Sequence, residues 1–155
     1  MSKPAEILVF EFLTEICAAS EPGSTLYELE LHDTIWRSIT KATGVRVSDA
    51  DADFAPGQGG GLKEVDTKVI LVPFARVEGP DTKERQAAVQ KVFEIQEALI
   101  AAIYADQYLG ERVCDTLIGR SPRSFENLDG KPYAIANIPL VINPVSGQDA
   151  DSYYK

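Results

Sequence analysis

Between Asp81 and Ala105 the apolar residues Ala88, Val89, Val92, Phe93, Leu99, Ile100 and Ile103 recur at steps of three and four, interrupted only by Gln96. Lys83, Glu84, Gln90, Lys91, Glu94 and Glu97 fall on the other side. Such a stripe predicts a helix with one broad face against a core. Asp81 and Glu84, three positions apart, form a capping pair at its start. Directly upstream, Asp66 to Val77 carries Val69, Ile70, Leu71, Val72 and Phe74, a β-branched and apolar run that predicts a strand. Pro73 places that strand at an edge or a bulge, because proline donates no ladder hydrogen bond. A long one-sided helix beside a strand that needs partners points to an α+β domain. The expected form is a mixed or mainly antiparallel sheet of about four strands, packed against the Asp81–Ala105 helix and N-terminal helices.

The remaining segments fill in that picture. Pro4 to Ala19 reads as an opening helix, with Ile7, Leu8, Phe12, Ile16 and Ala19 on one side and Glu6, Glu11 and Glu15 on the other. Glu21-Pro22-Gly23 stops it. Ser24 to Thr43 admits two readings: a helix opened by Thr25 and Glu28, or a strand over Leu26–Leu31 followed by a helix capped at Asp33. Helix is expected for Asp33–Ala42, and the front half stays open. Val45 begins a short alternating segment that runs into Asp49, Asp51 and Asp53. Arg112–Ile118 and Tyr133–Asn143 are two further strand candidates, and Asp129-Gly130 between them is a hairpin signal that Pro132 weakens. At 155 residues the chain fits one domain, residues 1–144, with a glycine-rich loop at 55–63 and a polar tail at 145–155.

Charge and residue usage narrow the function classes. Fifteen Lys and Arg stand against 24 Asp and Glu, a formal net charge of −9. Non-specific nucleic-acid binding depends on the opposite sign, as does attraction to an anionic membrane surface. One histidine, His32, and two cysteines, Cys17 and Cys114, cannot assemble a zinc site of the usual kind. A Cys/His dyad is formally open, but each cysteine lies in an apolar run and reads as a small buried hydrophobe. No cofactor and no catalytic constellation is expected. The N-terminus lacks a signal-peptide pattern, and no apolar run approaches the ~20 residues of a membrane span, so a soluble protein of the reducing cytoplasm is expected.

The remaining candidates concern surfaces. Gly57, Gln58, Gly59, Gly60 and Gly61 do not fit a phosphate-binding loop, because no strand–GxxxxGK[ST]–helix context surrounds them. They read as a loop that orders against a partner. Asp49, Asp51 and Asp53 lack the glycine and glutamate of a calcium loop and read as a solvated acidic edge. Arg112, Arg120 and Arg123, with Lys131, form the one basic concentration, to pair with acidic segments of a neighbouring copy or to stand as scattered solvated charges. Tyr153 and Tyr154 on a short polar arm suit a docking tail, since tyrosine is enriched at interfaces.

The element order from Asp66 to Pro144, with "DTKERQAAVQKVFEIQEALIAAI" and the closing "DGKPYAIANIPLVINP", resembles the tail terminator and tail-completion proteins of long-tailed bacteriophages. The resemblance implies a small α/β fold without catalysis. It implies a homo-oligomeric ring, commonly of six subunits, at the head-proximal end of the tail tube, with tube and head-connector proteins as partners. The place implied is the virion, after synthesis in the host cytoplasm. DNA then only passes through the channel, and an acidic inner wall, with Asp49, Asp51 and Asp53 as candidates, keeps it from sticking. The alternative is a monomeric or dimeric protein-binding module acting through its loops and C-terminal tail.

Overall fold

The structure, a computed structural model, describes residues 3–33, 38–49, 67–113, 115–119 and 123–143. Among these residues it is an α+β fold of two helices and one mixed seven-stranded sheet. The first helix, α1, spans Ala5–Ala19 and starts at Pro4, whose carbonyl accepts the N–H groups of Ile7 and Leu8. Strand β1 (Glu30–His32) runs parallel to β2 (Thr43–Asp49). Strand β2 is antiparallel to β3 (Thr67–Arg76), and α2 (Thr82–Ala105) follows. The chain closes with β4 (Asp115–Ile118), β5 (Ser124–Leu128), β6 (Lys131–Ile135) and β7 (Ile138–Asn143).

Seven strands stand where about four were expected, because the Tyr133–Asn143 candidate is divided into β6 and β7, and β1 and β5 add two more. Strands β6 and β7 lie end to end along β3, and the register of β7 on β3 continues unbroken into that of β6. The interruption falls at Pro73. Its carbonyl accepts the N–H of Ala136 at 3.2 Å, but its ring nitrogen returns no donor, so the ladder lapses between Ile135 and Ile138. Pro73 therefore does not mark an edge: β3 is the central strand, bonded to β2 on one side and to β6 and β7 on the other. Strands β4 and β5 repeat the arrangement one position further out, on β7 and β6.

Two further expectations are corrected. The second N-terminal helix is not formed by Asp33 or by residues 38–42, and residues 34–37 lie outside the described part. Thr25 and Glu28 sit in turns and cap no helix. Strand β1 takes up Glu30–His32 instead, inside the alternative reading, because pairing with β2 satisfies backbone groups that a short isolated helix could not. Arg112 lies before β4, in a loop rather than in a strand.

The core lies on one face of the sheet. Val45, Val47, Val69, Leu71, Ile138, Leu140 and Ile142 meet Leu8, Val9, Phe12, Leu13 and Cys17 of α1 and Ile95, Leu99, Ile100 and Ile103 of α2. The first turns of α2 pack Ala88 and Val92 on Ala75, Ala134 and Ala136, where alanines let the helix approach closely. The buried side of α1 keeps Leu8 and Phe12 of the stripe read in the sequence but is rotated at its margins: Ala5, Val9 and Leu13 are inside, whereas Ile7 is 44 % exposed and Ala19 is exposed. On the far face Phe74, Tyr133 and Ile135 form a smaller cluster under Ile39.

Candidate interaction surfaces

Strand alternation sends Lys68, Ile70 and Val72 to the face of β3 away from the helices, since Val69 and Leu71 enter the helix-side core. The register places Val141 opposite Lys68, Pro139 opposite Ile70 and Leu117 opposite Val141. Leu117, Val141, Pro139, Ile70 and Val72 thus form one contiguous apolar patch across three strands. Leu117 is 63 % exposed, and Ile70, Val72, Pro139 and Val141 are only half-buried. Apolar side chains gathered on a solvent-facing sheet mark a surface that gains by being covered. Lys68 and Arg46 stand on the same face, with Asp115 at its β4 corner.

The second surface is on α1. A groove of about 700 Å³ has Ile7 and Phe10 among its lining residues. Four carboxylates (Glu6, Glu11, Glu15 and Asp33) surround it, against two cations, Lys3 and Arg112. Arg112 is aimed there by a tight loop in which Leu109, Gly110 and Glu111 all have positive φ. Such backbone is costly for leucine and glutamate, and the loop is held by local bonds. The Asp106 carboxylate accepts the N–H of Gly110 at 2.9 Å, and the carbonyl of Tyr108 accepts those of Arg112 and Val113. The guanidinium then forks onto both oxygens of Glu15, lies 3.5 Å from Glu11 and donates to the carbonyl of Leu109 at 3.1 Å. Its pKa is raised, chiefly by the Glu15 bonds. The Lys3 ammonium, 2.6 Å from Glu11, lowers that carboxyl, with Arg112 adding to the effect.

Arg112 and Arg123 do not form one patch. Arg123, just before β5, reaches α2: it lies 5.2 Å over the Phe93 ring and donates to the Gln96 side-chain oxygen at 3.1 Å. Gln96 is 1 % exposed, so the polar interruption read in the helix stripe is a buried acceptor for this arginine. Arg85 stacks 4.6 Å over Phe125, tying β5 to the start of α2. Arg112 and Arg123, two of the arginines expected to meet a neighbouring copy, are thus engaged inside their own chain, a pairing across 97 and 27 residues that sequence spacing does not reveal. Arg120, Gly57, Gln58, Gly59, Gly60, Gly61, Asp51, Asp53, Tyr153, Tyr154 and Cys114 lie outside the described residues. The backbone of Asp49 ends β2 opposite Val69.

His32 is a buried structural histidine. Leu31 packs toward the helices, so His32 turns to the other face, where its ring lies 6.0 Å from that of Phe74. Its Nε2 is 3.1 Å from Glu30 Oε1. Cys17 sits in the helix-side core, where burial pushes its thiol pKa up. The sheet separates the two, so they make no dyad. Among the described residues no group of three or more His, Cys, Asp and Glu is placed to hold a metal ion, and no helix is long and apolar enough to cross a membrane. No protein-family model and no curated protein matches the chain.

Proposed function

We propose that this chain is a structural subunit of a bacteriophage tail: a tail terminator that assembles into a ring, of six copies by its resemblance, capping the tail tube and joining it to the head connector. The observation that carries this reading is the bare sheet face. Among the described residues helices cover one side of the sheet, while the other leaves Leu117 exposed and Val141, Pro139 and Ile70 half-buried. A chain that spends apolar residues in this way works by association, and a net charge of −9 suits the wall of a channel that DNA must traverse without adhering. No chemistry is assigned to it, and its place is the virion.

Negative-stain images and light scattering of the purified protein test the proposal, alone and with tail-tube protein. Rings that bind the end of a tube are expected. Compact monomers or dimers under all these conditions overturn it and favour the protein-binding module.

A further inference from the structure

The two surfaces described above differ in charge and lie on opposite sides of the molecule. Around Leu117 the sheet face combines an apolar patch with Lys68, with Asp115 at its β4 corner; the other carboxylates on this face, Glu30 and Glu126, stand on β1 and β5. The α1 groove has Ile7 and Phe10 within a rim where carboxylates outnumber cations four to two. The groove is on the helix side of the sheet and the patch on the other, so they cannot meet within one chain.

We propose that the sheet face around Leu117 docks onto the α1 groove of a second copy of this chain. Each apolar surface then covers the other, and Lys68 approaches the carboxylates around Ile7. Like surfaces do not pair as well, because two α1 grooves bring excess negative charge together. Contact between unlike patches is head-to-tail: every added copy leaves one free surface of each kind, and the assembly ends only by closing on itself. The inference rests on the self-assembly part of the function proposed above, and not on a place in a virion.

The test uses two variants of the full chain. Leu117→Asp disables the sheet face and Ile7→Asp disables the groove; both positions are solvent-exposed, and circular dichroism with thermal melting confirms folding. By sedimentation velocity each variant alone is expected to be monomeric where the wild type assembles. Mixed one to one, they are expected to give a dimer and nothing larger, because one intact groove meets one intact sheet face. The charge pair supplies an independent check: Lys68→Glu and Glu6→Lys each weaken assembly, and the double variant regains it. Wild-type assembly that survives Leu117→Asp and Ile7→Asp overturns this interface and leaves the ring proposal standing. A wild type that stays monomeric overturns both.

Discussion

The Glu30 carboxylate ties β1 to the chain ten residues further on. It accepts the N–H groups of Thr40 and Lys41 and the Thr40 hydroxyl, with His32 Nε2 at 3.1 Å. Burial alone would raise its pKa; the hydrogen bonds from Thr40, His32 and Lys41 outweigh burial and hold it at about 2, against an ordinary 4.5. A carboxyl depressed in the folded state adds stability that is complete above the unfolded pKa and is lost as pH falls through the folded one. Here the contribution is complete above about pH 4.5 and is lost as pH falls toward about 2. Urea unfolding of wild type and Glu30→Gln at a series of pH values checks this: the gap is widest at neutral pH and narrows through that window. A gap that does not change with pH refutes the role of the charge. Nothing near Glu30 in the sequence announces this role, because its partners are defined by how the connection between β1 and β2 folds back.

At the scale of elements, the prolines mark where the ladder can do without a donor. Pro132 faces β3 through its carbonyl, which accepts the Val77 N–H at 2.9 Å, so the β5–β6 hairpin does not call on its nitrogen. The hairpin forms despite it, with Asp129 and Gly130 at positive φ in the two-residue turn between Leu128 and Lys131. Pro139 accepts the Gly119 N–H at 2.8 Å just past the end of β4. Sequence reasoning located the turn and the troublesome prolines, but it took Pro73 for an edge signal because it could not know which side of β3 changes partners. Gly44 is a sharper case. A Cβ there runs into the Glu30 carbonyl oxygen and the Phe74 ring, and the first is backbone that cannot swing aside. Gly44→Ala is expected to cost about 2–3 kcal/mol, read as a fall in the urea midpoint with an unchanged slope. An unaltered midpoint contradicts the close approach of β1 to β2.

On the scale of the whole molecule, α1 and α2 seal one face of the sheet, and Cys17 lies beneath that seal. With its pKa raised and its sulfur buried, the thiol reacts only when the helix layer opens. Alkylation of Cys17, followed by peptide mass spectrometry, is expected to speed up with urea in step with global unfolding. Rapid labelling under native conditions shows that α1 detaches on its own. Among the described residues no helix lies on the far face, and assembly is the readout there, as set out for Leu117.

What the amino-acid order determined by itself is local. The positions of α1, α2 and β3 follow from apolar spacing and from proline and glycine, which act through neighbours a few residues away. Tertiary structure alone decided the rotation of α1 on the core, that Glu30–His32 pairs as a strand, where Arg112 and Arg123 find their partners and which sheet face the two helices cover. Each of these depends on groups far apart in the chain, and the energy of such a contact exists only once the fold has brought both sides together.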